Sequence, residues 1–136
     1  MGGTHVDKVT SFVHLGHTIN TELTDKEDIL HKRCTFIGQL NNVLCYFPRL
    51  DAEVRHKLFK SYCSSIFGCE LWRLNDININ QFCTACGTGL RRVWKIPNTA
   101  HSDLVHMMSD ELPIFDEICR RSLLFIHKCF FIARIL

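Results

Sequence analysis

The stretch Lys57-Leu-Phe-Lys-Ser-Tyr-Cys-Ser-Ser-Ile-Phe-Gly-Cys-Glu-Leu-Trp72 decides the predicted fold. Apolar residues recur in it at steps of three and four positions, so an α-helix would place them on one face. These residues are Leu58, Tyr62, Ile66 and Cys69. Gly68 weakens the helix near its end. Because a helix is predicted on either side, we expect this stretch to be the central rod of a helical bundle.

Two helices are predicted up to residue 67. Thr24-Asp-Lys-Glu27 has the pattern of a capping box, which opens a helix to about residue 46. The inner face of that helix is predicted to hold Ile29, Arg33, Phe36, Ile37, Leu40, Val43, Leu44 and Phe47. Arg33 falls within this stripe, so we expect it to reach solvent or to pair. Pro48 ends the helix, and Asp51 is the expected N-cap of the next one, over residues 52–67.

The rest of the chain predicts three more helices. The first covers about residues 75–96, and Gly87 and Gly89 predict a bend or fraying within it. A short helix follows over residues 101–108, and the last helix opens at Pro113 and runs to about residue 135. The apolar residues of the last helix occupy more than one face, so it is expected to be buried on several sides or to need a partner. They are Ile114, Phe115, Ile118, Leu123, Phe125, Ile126, Phe130, Phe131 and Ile132.

The N-terminal region favours extended chain. Residues 11–15 and 18–20 alternate loosely and are rich in Val, Thr and Phe, with a turn expected at Gly16. A two-stranded hairpin is marginal in water by itself, so it needs a partner surface. The sequence therefore predicts a mostly α fold, a helical bundle of about five helices with a short N-terminal β-hairpin.

Composition narrows the class of protein. The chain has 136 residues, 46% of them hydrophobic, which is enough for a core, and a net charge of only +2. Residues 1–6 lack the basic and apolar regions of a signal peptide, so the eight cysteines are expected to be reduced thiols. We expect an intracellular protein, cytoplasmic or nuclear, and not a secreted one. The apolar residues 123–136 are too few to span a bilayer, so no membrane partner is expected.

Five segments together resemble one protein family. Phe12-Val-His-Leu-Gly-His-Thr-Ile19 resembles a hairpin called the primer grip, and Ile29-Leu-His-Lys-Arg33 resembles a first thumb helix. Phe67-Gly-Cys-Glu-Leu-Trp72 is similar to a Tyr-Gly-x-Glu-x-Trp signature. Gly89-Leu-Arg-Arg-Val-Trp-Lys-Ile-Pro97 and Thr99-Ala-His-Ser102 resemble a block beyond the thumb. In this order they resemble the reverse transcriptases of non-LTR (LINE-type) retrotransposons, downstream of the catalytic palm.

The resemblance implies three regions and a binding role. Residues 1–23 would be a primer-grip-like β-element, residues 24–97 a thumb-like helical bundle, and residues 98–136 connector-like helices. The primer-grip-like residues would be His14, Leu15 and Gly16. The parent enzyme is an RNA-directed DNA polymerase, whose chemistry needs paired aspartates that hold two metal ions. Because this sequence has no Asp-Asp pair, the resemblance implies a truncated fragment that binds a template–primer backbone and is not itself an enzyme.

The candidate contacts to a nucleic-acid backbone are basic residues in and near the central and third helices. They are Lys57, Lys60, Arg91, Arg92, Lys95 and His101. Basic side chains along one helical side contact phosphates without reading sequence, and Trp72 and Trp94 could stack on a base or ribose. The competing interpretation is a solvated basic surface over two core tryptophans. The partner that the resemblance implies is RNA or an RNA/DNA hybrid.

Two further interpretations stay open. Cys83-Thr-Ala-Cys86 has the spacing of half a zinc site, but no second close pair of Cys or His accompanies it, so buried thiols compete with a metal site. His14 and His17 supply at most two ligands, and a plain hairpin role competes there. We expect no metal, no cofactor and no catalytic residue. The rival function is a protein-interaction module, or a non-functional remnant, that binds a protein partner or itself through the apolar C-terminal helix.

Overall fold

The described part of the chain contains two short strands and five α-helices. A computed structural model describes residues 8–134, so the N-terminal residues used for the signal-peptide argument lie outside the described residues. The elements are β1 (Ser11–His14), β2 (His17–Asn20), α1 (Lys26–Tyr46), α2 (Ala52–Tyr62), a 3₁₀ turn (Cys69–Leu71), α3 (Ile77–Trp94), α4 (Ser102–Ser109) and α5 (Ile114–Ala133). The predicted fold class, a mostly helical bundle with a short N-terminal β-hairpin, is confirmed.

The hairpin forms around the predicted turn. β1 and β2 are antiparallel, with Phe12 opposite Ile19. Leu15 has φ 50° and Gly16 has φ 78°, and two successive positive φ angles are what a two-residue turn between twisted strands requires. All of β1 is exposed, whereas β2 is partly buried and contacts α1. The helical bundle therefore supplies the partner surface that the hairpin needs.

α3 is the central helix of the bundle. It packs against α1, α2, α4 and α5. Its buried residues are Ile79, Phe82, Cys86, Gly89, Leu90 and Val93. The prediction that residues 57–72 form the central rod is therefore wrong. The physical reason is length, because α2 ends at Tyr62 whereas α3 carries an apolar stripe over its whole length.

The predicted apolar stripe of residues 57–72 is wrong at Tyr62, whereas Leu58 is partly buried and packs against the core. The buried residues of α2 are Arg55, His56 and Phe59, and Tyr62 is 60% exposed. Ile66 and Cys69 are buried as predicted, but they lie beyond the end of the helix. The serines at 64–65 favour turns over helix, and Gly68 has φ 87°, which no regular helix contains. The helix therefore ends at residue 62 rather than 67.

The predicted capping box at the start of α1 does not form. The N-cap residue is Asp25, and no side chain caps this helix end. The Thr24 hydroxyl instead accepts a hydrogen bond from Asn20 Nδ2 at 2.8 Å, and the Thr24 N–H donates to Asn20 Oδ1 at 2.9 Å. Because Asn20 is the last residue of β2, these bonds connect the hairpin to α1. One local contact has replaced another, because Asn20 and Thr24 are only four residues apart.

The predicted fraying of α3 does not occur. The helix is continuous through Gly87 and Gly89. A Cβ at Gly89 would lie 2.9 Å from Leu40 Cδ2 and 3.0 Å from Phe36 Cζ, both on α1. Gly89 is thus the place where α3 approaches the side chains of α1 most tightly, and its missing side chain permits the approach.

One hydrophobic core serves all five helices. It contains residues from each of them, including Phe36, Phe59, Phe82, Val105 and Ile118. The connector-like residues 98–134 therefore share the core of the thumb-like residues 24–97.

Candidate nucleic-acid interface

The basic residues predicted to contact nucleic acid have different neighbours. Lys57, Lys95 and His101 are exposed. Lys60 Nζ lies 2.9 Å from Glu111 Oε1, and hydrogen bonding to this carboxylate raises the pKa of Lys60. The charge of Lys60 is therefore offset within the chain.

Arg91 forms hydrogen bonds with the chain that follows α3. It is half-buried, and its Nη2 donates to Ala100 O at 3.2 Å and to Ser102 Oγ at 3.0 Å. Ser102 is the first residue of α4, so these bonds fix α4 against the end of α3. A structural role thus competes with phosphate binding at Arg91.

Two other arginines bridge α1 and α3. Arg92 Nη1 donates to Asn41 Oδ1 at 3.1 Å, and Arg33 Nη1 donates to Gln81 Oε1 at 3.3 Å. Both acceptors are neutral amides, so they leave both guanidinium charges in place. Sequence reasoning did not include Arg33 among the contacts, although its position within the apolar stripe of α1 already marked it as a residue that has to pair.

The surface around these arginines contains no carboxylate from either helix. Neither residues 29–46 of α1 nor residues 77–94 of α3 include an Asp or a Glu. The exposed uncharged polar residues beside the two arginines are Asn41, Gln81, Thr84 and Thr88. Amides and hydroxyls of this kind hydrogen-bond to phosphate and sugar oxygens. We call this surface the α1–α3 face, and its groove of about 420 Å³ is lined by Arg33, Gln81 and Arg92 among others.

The primer-grip-like tip of the hairpin lies beside the same helix α1. His14 and Leu15 are exposed, and Leu15 is 79% exposed. The Gly16 carbonyl accepts a hydrogen bond from Lys32 Nζ at 3.1 Å. This bond places the tip next to a basic residue of α1.

His17 contacts a buried carboxylate. Its Nδ1 lies 2.8 Å from Asp28 Oδ2, and its Nε2 lies 3.0 Å from Gly68 O. Asp28 is 1% exposed and also accepts from Trp72 Nε1 at 2.8 Å and from Thr18 N at 2.9 Å. Trp72 is therefore a core residue and is not placed to stack on a base. Its indole is held inside, and sequence reasoning gave no signal for this network.

The cysteines of the predicted Cys83–Cys86 pair are part of the core rather than of a polar cluster. Cys86 is buried and Cys83 is half-buried. Burial raises the pKa of Cys83 to about 11 and that of Cys86 further, so both thiols are protonated at neutral pH. Over residues 8–134, no group of three or more His, Cys, Asp or Glu is placed to hold a metal ion.

Comparison of the chain with protein-family models, with curated proteins and with solved structures finds no match. Within the described residues, every helix is too short or too polar to cross a membrane.

Proposed function

We propose that this chain is a thumb and connector fragment of a LINE-type reverse transcriptase, which binds the backbone of a template–primer duplex and does not polymerise. The observation that carries the proposal is the α1–α3 face, where Arg33 and Arg92 are paired only with neutral amides. A polyanion would supply the negative charge that neither helix offers this face.

The basic residues differ in how far their charges and hydrogen-bond donors are already paired within the chain. Arg33 and Arg92 come first, and the exposed Lys57 and Lys95 contribute long-range attraction. Lys60 and Arg91 come last, because one is paired with Glu111 and the other binds the start of α4. The hairpin tip accepts a hydrogen bond from Lys32 of α1, and the resemblance assigns this tip to contact with the primer strand.

The test is binding of a fluorescently labelled RNA/DNA hybrid, measured by anisotropy over a salt series. The double variant Arg33→Ala/Arg92→Ala is compared with Arg49→Ala/Arg73→Ala, which removes the same charge from exposed arginines outside both helices. Each lost phosphate contact lowers the slope of log K against log salt by about 1, so the first variant is expected to lose a slope of about 2. The control is expected to keep the native slope.

Two outcomes would contradict the proposal. One is absence of binding at low salt by the native chain. The other is an equal loss in both double variants, because that would show attraction by net charge without contacts on the α1–α3 face. Circular dichroism of each variant establishes that the helices remain folded.

A second candidate function is self-association through α5. The second half of this helix exposes a large apolar surface, formed by Leu123, Leu124, Phe125, Ile126, Phe130, Phe131 and Ile132. Phe130 alone is 70% exposed. Contiguous apolar surfaces of this kind mark interaction sites in soluble proteins.

Light scattering after size exclusion, over a range of protein concentrations, tests this candidate. The native chain is expected to shift from monomer to dimer, and Phe130→Ser/Phe131→Ser is expected to stay monomeric. The control Leu104→Ser/Met107→Ser removes exposed apolar side chains from α4 instead and is expected to behave as the native chain. A native chain that stays monomeric throughout would rule self-association out.

A further inference from the structure

A cavity of about 360 Å³ lies between α2, α3, α4 and the start of α5. Its volume is within the range of natural small-molecule sites, roughly 300–1,000 Å³. The apolar part of its wall includes Phe59, Phe82, Val105 and Ile114. Thr84 and Thr88 line both this cavity and the groove of the α1–α3 face, whereas Arg33 and Arg92 line only the groove.

One part of the cavity wall is polar. Arg91, Ser102, His106 and Glu111 all line it. Arg91 Nε and His106 Nδ1 are buried, and neither has a hydrogen-bond partner among the described residues. Both nitrogens lie behind the surface of the wall. The part of Arg91 nearest the lining residue Gly87 is Nη1, which would lie 3.5 Å from a Cβ built there.

The charges at this part of the cavity favour an anion. Arg91 donates to Ala100 O and Ser102 Oγ, which are both neutral, so among residues 8–134 its positive charge has no counterion. Glu111 is the carboxylate of the wall, and its Oε1 lies 2.9 Å from Lys60 Nζ and 3.2 Å from His56 Nε2. Its negative charge is therefore offset from outside the cavity. A guanidinium without a counterion forms strong charge-assisted hydrogen bonds with a carboxylate.

We propose that the cavity binds a small molecule with an aliphatic or aromatic body and a single terminal carboxylate. The apolar body lies against the phenylalanine wall, and the carboxylate accepts a charge-assisted hydrogen bond from Nη1 of the Arg91 guanidinium. The site uses neither Arg33 nor Arg92, the two residues on which the proposed nucleic-acid binding rests. Binding also stabilises the packing of α4 on α3, since Arg91 already holds the two helices together.

The site is tested by measuring the binding of two probes, octanoate and octanol, to the full chain by isothermal titration calorimetry. Octanoate is expected to bind with one site per chain. Octanol has the same apolar body without the charge, and it is expected to bind at least about tenfold more weakly, as the loss of a hydrogen-bonded charge pair implies.

A pair of glycine variants locates the site. Gly87 lines the cavity, and a Cβ there would meet only Arg91 Nη1 within 4 Å, at 3.5 Å. Gly87→Leu is therefore expected to fill the cavity and abolish octanoate binding while keeping the helix, because leucine is the better helix former. Gly38→Leu makes the same change at an exposed position of α1 with nothing within 4 Å, and it is expected to bind octanoate as the native chain does.

Each result decides the proposal. Saturable octanoate binding that Gly87→Leu abolishes and Gly38→Leu retains supports it. No saturable binding by the native chain overturns it, and so does equal binding of octanol, which would leave Arg91 without a role. Retained binding by a folded Gly87→Leu variant also overturns it, because the probe would then be bound elsewhere, for example on the apolar surface of α5.

Discussion

Glu117 lies in the first turn of α5 and is held by two arginines of the same helix. Arg120 Nε lies 2.7 Å from Glu117 Oε2, and Arg121 Nε lies 2.8 Å from Glu117 Oε1. The hydrogen bond from Arg120, with that from Arg121, lowers the pKa of Glu117 to about 2 against the opposing effect of burial. Arg121 Nη1 also donates to Ile66 O at 3.3 Å, so this cluster joins α5 to the segment that follows α2.

Low pH is expected to reduce the free energy of unfolding, because it protonates the Glu117 carboxylate. Because its folded pKa lies below the ordinary value of 4.5, its contribution is complete above about pH 4.5 and is lost as the pH falls toward 2. In urea unfolding from pH 5 to pH 2, Glu117→Gln is expected to be less stable than the native chain at pH 5. The difference should shrink toward pH 2.

Asp116→Asn is the matched control, since Asp116 is the exposed neighbour in the same turn. It is expected to leave the native pH dependence intact. A stability gap between the native chain and Glu117→Gln that stays constant over the whole pH range would contradict the assigned role of the Glu117 carboxylate.

At the residue scale, the proposed binding role of each arginine depends on hydrogen-bond partners that the sequence does not reveal. Arg91 and Arg92 are adjacent in the chain and equal in the family pattern. Arg91 turns toward α4 and binds Ser102, whereas Arg92 turns toward α1 and binds Asn41. Successive residues of a helix point about 100° apart, so neighbours in sequence face different elements. The pattern could predict basic residues here but not which of them stays available to a phosphate.

At the element scale, the contact between α1 and α3 is limited by Gly89. Gly89→Ala would place a Cβ 2.9 Å from Leu40 Cδ2 within a buried contact, where overpacking costs about 1–3 kcal/mol. Alanine regains about 1 kcal/mol of helix propensity. The net effect is expected to be a loss of up to about 2 kcal/mol in the free energy of unfolding, measured by urea denaturation.

Gly87→Ala, two residues earlier in the same helix, is the comparison for Gly89→Ala. The new methyl group would have only Arg91 Nη1 within 4 Å, at 3.5 Å. It is expected to stabilise the protein by up to about 1 kcal/mol. If both variants stabilised the protein equally, the close approach of α1 at Gly89 would not limit the packing.

The helices themselves were largely predictable, and their ends and faces were less so. As expected, α1 ends before Pro48 and Asp51 is the N-cap of α2. The predicted third, fourth and fifth helices all occur. The predicted stripe was wrong at Tyr62 of α2. The residues spaced by four from Leu58 and those spaced by four from Phe59 are both apolar, so the sequence does not show which set is buried. The structure buries Phe59 and exposes Tyr62. Packing against α3 selected one of two faces that local periodicity left equivalent.

At the scale of the whole molecule, Asp28 connects three separate segments. Its carboxylate contacts His17 and Thr18 of the hairpin and Trp72 after the 3₁₀ turn, while its backbone belongs to α1. Asp25 adds a further link, since its Oδ2 accepts from Arg73 N at 2.8 Å. The Asp28 carboxylate therefore attaches the hairpin to the bundle, and Asp25 attaches the segment after the 3₁₀ turn to the start of α1.

Asp28→Ala is expected to destabilise the protein by about 3 kcal/mol, because it leaves buried donors without an acceptor. Since an isolated two-stranded hairpin is marginal, the hairpin should also detach from α1. Hydrogen exchange of the Thr18 amide, whose acceptor is Asp28, is expected to become much faster than in the native chain.

The exposed neighbour Glu27 supplies the control for Asp28. Glu27→Ala removes a carboxylate from the same turn and is expected to change stability by less than about 0.5 kcal/mol. Unchanged Thr18 exchange in a folded Asp28→Ala variant would show that other contacts hold the hairpin.

The sequence by itself determined the elements of this protein: a hairpin turning at Gly16, then helices bounded by Pro48, Pro97 and Pro113. These features depend on backbone preferences and short-range periodicity, which act within a few residues. Only the tertiary structure decided that α3 is central, that Asp28 is buried, and that residues 57–72 divide into a short helix, a loop and a 3₁₀ turn. Those outcomes depend on which surfaces pack together across the bundle. The sequence of a short segment does not indicate which distant residues it will contact.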